Sequence, residues 1–587
     1  LANRYWVGGT ASWDATAGAK WAAASGGAGG AAVPLATDDV FFDGIATGGG
    51  PAGAITVTVS APAVCQNLNF TGFVGTFAGA STLAISGSFT WGAGMTRTYT
   101  GAMTFNAVAG VNGITSNGIT FGSAITFNGV GGAWQLQDNF TSTALMTLTN
   151  GAFDTNAKTL QCTNWSSSNT NTRSLTITGS TWTLTGNTLS WGMSTTTGLT
   201  FNSSGSSLIF SNGTATANQF QAGALTYGDV TFAGSGSGMF SIVSGGVTTL
   251  RDLNITNTGG ATFFFSAAIT VRDFIFSGFT GTWSGTGPTS IGRHFTLAAG
   301  MTRLSTSALV FNATSGVSNI TSNGISLAGS ITFNGVGGTW RLQDALTTTQ
   351  GLTLTNGTFQ TNGQNVTTRN LATFNTNIRV LDVTNTLWVL TGLNVAVVNV
   401  SGANLTLIST GSTFRVDNTG SLVSETQTFS QGAQTFNDVQ FIGTGAGGFN
   451  FNANPAGATF RDFTHTAPGT QLTIVGDNTF RNFTLANPPH TVVLGFGATQ
   501  VVTGSLTMSG SPGNPLVIET NLSGSSARFI VEKNYVRCDY LQLKDVVASG
   551  GARWFAGKHS INNGGNRGWR FTDAAPRPPA MIRFGVE

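Results

Sequence analysis

Thr249-Leu250-Arg251-Asp252-Leu253-Asn254-Ile255 is followed twenty-one residues later by Thr270-Val271-Arg272-Asp273-Phe274-Ile275-Phe276, with the same order of apolar, Arg, Asp and apolar positions. Thr226-Tyr227-Gly228-Asp229-Val230-Thr231-Phe232 precedes them, and Thr435-Phe436-Asn437-Asp438-Val439, Thr459-Phe460-Arg461-Asp462-Phe463 and Thr479-Phe480-Arg481-Asn482-Phe483 follow. Consecutive Asp/Asn positions are 23 (229 to 252), 21 (252 to 273), 24 (438 to 462) and 20 (462 to 482) residues apart. A period of ~20–24 residues is that of one coil of a β-solenoid, whose coils bury apolar surface only by stacking on their neighbours.

Outward from these stretches a longer repeat emerges. Residues 55–186 return at 261–392 without a gap. Phe70-Thr71-Gly72-Phe73 returns as Phe276-Ser277-Gly278-Phe279, Gly94-Met95-Thr96-Arg97 as Gly300-Met301-Thr302-Arg303, Asn169-Thr170-Asn171 as Asn375-Thr376-Asn377, and Trp134 and Trp182 as Trp340 and Trp388, all at an offset of 206. Beyond residue 187 the offset grows: Asp229 matches Asp438 at 209 and Asp252 matches Asp462 at 210, which places small insertions at coil corners. Alternation such as Ile55-Thr56-Val57-Thr58-Val59 sets every second side chain on one face of a strand. Asn-Gly pairs such as Asn150-Gly151 and Asn356-Gly357 punctuate the strands as turns. The fold class expected is all-β, an elongated parallel β-solenoid (β-helix) with small terminal capping modules.

Composition agrees with stacking. Charged residues make up only 8% of the 587 residues, against roughly 25% in ordinary soluble domains. Stacked coils set equivalent residues ~4.8 Å apart, so like charges in a column repel. Forty-two Phe and thirteen Trp recurring in register supply burial that a disordered Gly/Ser-rich chain lacks. Net charge is +3, but Arg528–Glu587 holds ten Lys/Arg against five Asp/Glu, so the tail is basic and the rest nearly neutral. A neutral stack is a poor nucleic-acid binder, and the basic tail is expected to be a solvated, ion-paired module, the alternative being a tail that takes a polyanion partner. Cys65, Cys162 and Cys538 are too scattered for a disulfide framework or metal ligation and are expected as small buried hydrophobes. No apolar run is long enough for a membrane-spanning helix. Residues 1–30 lack the regions of a signal peptide. Because the chain starts at Leu1, not Met, a segment removed or left out upstream is expected.

The organisation expected is a Trp-rich cap or docking module over residues 1–50, a first long repeat over 51–254, a second over 255–465, a partial third over 466–526, and a basic C-terminal module with a Pro-rich arm (Pro576, Pro578, Pro579) over 527–587. The solenoid is expected to end near Ser526.

The two ends carry a resemblance. Tyr5-Trp6-Val7-Gly8-Gly9, Trp13, Trp21, Pro34 and Asp38-Asp39-Val40-Phe41-Phe42-Asp43 resemble the opening module of long Gly/Thr-rich surface proteins of tailed bacteriophages (fibre or tail-fibre proteins) and of bacterial secreted adhesins. Ser549-Gly550-Gly551-Ala552, Phe555-Ala556-Gly557, Asn562-Asn563-Gly564-Gly565-Asn566 and Gly568-Trp569 resemble their closing module. The resemblance implies a virion-surface or extracellular structural protein, a homo-oligomer by analogy, and no catalytic residues to carry over.

The Asp/Asn column (Asp229, Asp252, Asp273, Asp438, Asp462, Asn482) is the recurrent ionisable position. Carboxylates ~5 Å apart would suit a retaining glycosidase. Six similar sites argue instead for a structural role, since catalysis needs one distinguished cleft. Leu250 and Leu253 break strict alternation, so the chain is expected to bend there, the Asp bonding its own backbone and the preceding Arg pairing with an Asp of the neighbouring coil. His294, His465, His490 and His559 show no ligand spacing. Gly234-Ser235-Gly236-Ser237-Gly238 mimics a phosphate loop with no helix behind it, and reads as turns. Asp38, Asp39 and Asp43 approach a calcium cluster but lack its Gly-bounded loop. Most aromatics are expected in core columns, with a few exposed ones left for weak, multivalent glycan contact.

Taken together, no catalytic, cofactor or metal residues are expected. The function expected is a non-enzymatic virion surface fibre contacting a host surface, the alternatives being a secreted adhesin or filament subunit and a tailspike-like polysaccharide depolymerase. Expected partners are other virion or filament proteins at the terminal modules and a host surface glycan, with neither nucleic acid nor membrane insertion.

Overall fold

The computed structural model describes residues 2–43, 55–393, 396–417, 419, 426–445, 447–452, 457–487 and 491–574. The chain divides into two compact units, Leu1–Ser307 and Ala308–Glu587. Among the described residues every regular element is a β-strand. In both units strands pair in parallel with their equivalents one coil away, which makes each unit a β-solenoid.

The Arg-Asp stretches show how a coil is built. In the first unit Thr248–Ile255 pairs with Ile269–Phe276 through Leu250↔Val271, Asp252↔Asp273, Leu253↔Phe274 and Ile255↔Phe276. In the second, Thr435–Ile442, Ala458–His465 and Asn478–Leu485 stack with Asp438, Asp462 and Asn482 in register. Along Thr248–Ile255 the side chains of Thr248, Leu250, Leu253 and Ile255 are buried, while Arg251 and Asp252 both point outward. Two outward residues in succession restart the inward alternation on a new face. The expected bend is therefore a kink inside a continuous strand.

The long repeat recurs in the pairing itself. Met103↔Ile125 and Val111↔Ala133 in the first unit correspond to Leu309↔Ile331 and Val317↔Thr339 in the second. Even the irregularity between Phe127 and Ala133 recurs between Phe333 and Thr339. One insertion can be placed. Leu208 and Phe220 lie 12 residues apart, their equivalents Phe414 and Phe429 lie 15 apart, so three extra residues fall between the strands Thr413–Asp417 and Gln427–Ser430.

Aromatic columns fill the interior. Phe105, Phe127 and Phe153 follow one another at ring separations of 5.3 and 4.5 Å. In the second unit Phe311, Phe333 and Phe359 do so at 5.2 and 4.3 Å. These separations bracket the ~4.8 Å strand spacing, so rings one coil apart stack, Phe127 and Phe153 with a 31° tilt, with a gain of ~0.5–1.5 kcal/mol per pair beyond burial. Trp134 and Trp340 sit buried beside these columns in like surroundings.

The first unit's N-terminal residues join the stack through Ala11↔Val57 and Val40↔Leu68, while Asn3–Trp6 and Trp21–Ala22 pair antiparallel. Trp6, Trp13 and Trp21 pack edge to face at 5.0 and 5.2 Å, and Phe42 stacks on Phe70 at 4.5 Å. This plug closes the end of the unit's aromatic core. At the other extreme the ladder runs on past Ser526: Ala527–Val531 pairs with both Thr499–Val502 and Val546–Ser549, and Leu541–Leu543 with Ile561–Asn562. The basic residues thus stand on further coils of the same construction. The Pro-rich arm lies outside the described residues.

Candidate functional site

The Asp/Asn column lies on the outer edge of the kinked strands, and each arginine in it reaches one coil back. Arg251 clamps Asp229, Arg272 clamps Asp252 and Arg293 clamps Asp273, each through Nε and Nη2, with Nε–Oδ1 distances of 2.6, 2.8 and 2.8 Å. In the second unit Arg461 clamps Asp438 (2.8 Å) and Arg481 clamps Asp462 (3.0 Å). Arg272 also lies 3.9 Å from Asp273 of its own strand, and Arg461 lies 3.4 Å from Asp462. Two staggered columns of opposite sign thereby replace the like-charge repulsion expected of a single one.

The expected pairing with the neighbouring coil is thus present. The expected bond of the Asp to its own backbone is corrected: the carboxylate is taken by the next coil's arginine, and at Asp273 by the backbone N–H of His294 as well, 3.0 Å away. The kink needs no Asx turn, because the continuing parallel ladder already holds its backbone.

Electrostatics follow the geometry. Burial alone would raise the Asp273 carboxyl, but Arg293 and the His294 N–H outweigh it and hold that carboxyl below its usual value. The same contacts hold Arg251, Arg272, Arg293 and Arg461 above theirs. A glycosidase acid requires the opposite shift, a carboxyl kept protonated near neutral pH. The column as arranged is a staple between coils.

The other residues singled out in the sequence are dispersed. Asp38 is buried and accepts the backbone N–H groups of Ala2 and Leu35, both at 3.1 Å, while Asp39 accepts the Asn67 amide at 2.7 Å. Among the described residues no three His, Cys, Asp or Glu side chains are grouped to hold a metal. His465 is buried against Thr470, His559 pairs with Asp539 at 2.7 Å, and His490 lies outside the described residues. Gly234–Gly238 is a strand connection in which a Cβ on Gly236 or Gly238 would lie 2.2 or 2.1 Å from a carbonyl oxygen one coil back. All three cysteines are buried, and burial pushes their thiols up, Cys538 to about 12. Of the thirteen tryptophans only Trp569 is more than marginally accessible, so surface aromatic contact is left to residues such as Phe374, Phe496 and Tyr535.

Three features were not anticipated. Arg173 and Arg379, at the 206 offset, are buried, and among the described residues no carboxylate pairs with either. Arg173 donates to Ser167 Oγ (2.8 Å) and to the carbonyls of Ser167, Asn171, Thr195 and Thr197 at 2.6–2.9 Å, binding two successive corners together. Asp138 caps the preceding coil by accepting the N–H groups of Ser116 (2.8 Å) and Asn117 (2.6 Å), and Asp344 does the same for Ser322 and Asn323. Finally, an open groove of about 790 Å³ runs along Val130–Ala133, Asn150–Ala152 and Thr170–Ser174. Its counterpart of about 410 Å³ is bounded by Val336, Asn356–Thr358 and Asn377–Val380. Val130 and Val336 stand at their edges 72% and 69% exposed. Repetition of Arg and Asp at the long offset, in a chain so poor in charge, was the available signal for the first two. The groove left none, because it lies where six residue steps from Phe127 to Ala133 face only four from Leu148 to Ala152 on the next coil, a mismatch that only the pairing shows.

No protein-family profile matches the chain, and no curated protein or solved structure is similar to it.

Proposed function

We propose that the chain is a non-enzymatic structural component of a virion surface fibre, of the kind borne by tailed phages, that contacts the host surface. The observation that carries this reading is the construction of the coil. Each coil adds ~4.8 Å to its unit's axis, the core is a repeated aromatic column, and the recurrent ionisable residues are engaged in stapling coils together. Such a scaffold spaces and displays. With charged residues only 8% of the chain, its polar surface falls largely to Thr, Ser and Asn, which suits weak contacts multiplied over many copies. The resemblance of the two ends to phage and adhesin surface modules points the same way.

An adhesin or filament subunit on a bacterial surface uses the same construction and is the second reading. Antibody raised against the chain, applied to purified particles and to uninfected cells of the source culture, separates them. Gold label on particle projections is the result expected; label confined to cells would favour the adhesin. A clearing halo on host capsule, abolished by Asp252→Asn with Asp273→Asn, would favour a depolymerase over both.

A further inference from the structure

The basic C-terminal coils carry exposed arginines that are backed by aromatic rings and, among the described residues, unmatched by carboxylates. Tyr535–Arg537 and Arg553–Phe555 form a two-stranded parallel sheet, with Tyr535 opposite Arg553 and Arg537 opposite Phe555. Arg570 bridges to Phe555 from the next coil. Alternation puts Tyr535, Arg537, Arg553, Phe555 and Arg570 on one side of this sheet. The Tyr535 and Phe555 rings stack at 6.1 Å and 21°. The guanidiniums of Arg537 and Arg553 lie 5.0 and 5.8 Å from the centre of the Tyr535 ring, and that of Arg570 lies 5.5 Å from the centre of the Phe555 ring. Tyr535 and the three arginines are exposed. Among the described residues no carboxylate forms an ion pair with any of the three, although Lys558 and His559 nearby have Asp573 and Asp539 as partners. The ion-paired module expected from the sequence is therefore only partly ion-paired.

We propose that this face binds an acidic polysaccharide through its sugar carboxylates. The aromatic rings support the arginines by cation–π contact, and planar guanidiniums held in this way offer N–H edges suited to bidentate pairing with carboxylates. By register Arg537, Phe555 and Arg570 form one column over three coils, so Arg537 and Arg570 stand about two strand spacings of ~4.8 Å apart, close to the advance of two sugars along an extended glycan, and can meet alternate uronates. A single-stranded nucleic acid fits less well, since such partners stack bases on free aromatic faces and Tyr535 already carries two guanidiniums. The proposal goes beyond the surface-fibre reading and does not require it.

The test uses the full chain with immobilised polygalacturonate, neutral dextran and a thymidine oligonucleotide as probes. Binding to polygalacturonate, weakening as salt is raised, with no binding to dextran, is the result expected. The Arg537→Gln, Arg553→Gln, Arg570→Gln triple variant should lose roughly tenfold or more in affinity, as removal of charge-assisted hydrogen bonds requires. Arg272→Gln with Arg293→Gln, which removes paired arginines elsewhere, should leave affinity unchanged. If the triple variant does not fold, Arg537→Gln alone should show a smaller loss in the same direction. No binding to polygalacturonate, equal loss in the Arg272/Arg293 variant, or tighter binding of the oligonucleotide would each overturn the proposal. Failure here leaves the fibre reading standing, and absence of label from particles leaves this face intact.

Discussion

At the scale of single residues, the same side-chain type does different work according to where the coil places it. Arg272 is half-exposed and shares Asp252 with solvent, so Arg272→Gln should cost only ~0.2–1 kcal/mol in chemical denaturation. Arg173 is buried and satisfies carbonyls of two coils, so Arg173→Gln should cost several times more, because hydrogen bonds from a charged donor are worth ~1.5–3 kcal/mol each. Asp273 has a folded-state pKa below its ordinary value of 3.8. Its contribution to stability is therefore complete above that ordinary value and disappears as pH falls through the lower folded value. Thermal melts from pH 7 to pH 2 should show this loss in the parent chain, and Asp273→Asn should flatten it; an unaltered acid limb would contradict the assignment. Both Trp134 and Trp340 bury an indole N–H that has no hydrogen-bond partner among the described residues. Trp134→Phe should accordingly stay within about 1 kcal/mol of the parent, whereas Trp134→Ala should lose ~3–5 kcal/mol to the cavity.

At the scale of the element, the strand Ile125–Leu136 shows how a neighbour sets local form. A Cβ on Gly129 or Gly132 would lie 1.8 or 2.0 Å from the Ala107 carbonyl oxygen, and Gly335 and Gly338 stand in the same relation to Ala313. Gly129→Ala should therefore destabilise the first unit and register as a lowered melting temperature together with faster amide exchange in Val111–Thr115 and Leu145–Asp154. The N-terminal Trp plug belongs to this scale too. Deleting residues 1–43 should uncover the aromatic end and free strand edges, producing concentration-dependent aggregation in light scattering. A truncated chain that remains monodisperse would show that the plug is dispensable. Coil length, strand positions and the buried faces were legible from alternation and from the recurring Arg-Asp stretch. The excursion at Asn128–Ala133 was not, since the carbonyl oxygen that bars a side chain at Gly129 and Gly132 belongs to another coil.

At the scale of the whole molecule, stability is a sum over coils and their nearest neighbours. A core deletion such as Trp182→Ala should raise amide exchange first in the coils bearing Leu160–Cys162 and Ser207–Ser211, which pair with its own strand; uniform acceleration throughout the first unit would mean that the coils unfold as one. The sequence by itself determined that the chain is an all-β stack and how long a coil is, because alternation and period are properties of a single chain that stacking merely reuses. It also exposed the Arg-Asp column, through its recurrence. Only the tertiary structure decided which charges are neutralised. Arg272 has a carboxylate of the preceding coil within hydrogen-bonding distance, whereas Arg537 has none from a neighbouring coil among the described residues and lies over the Tyr535 ring of its own strand. That difference depends on which side chain the next coil sets alongside, a distance in space that the order of residues does not record.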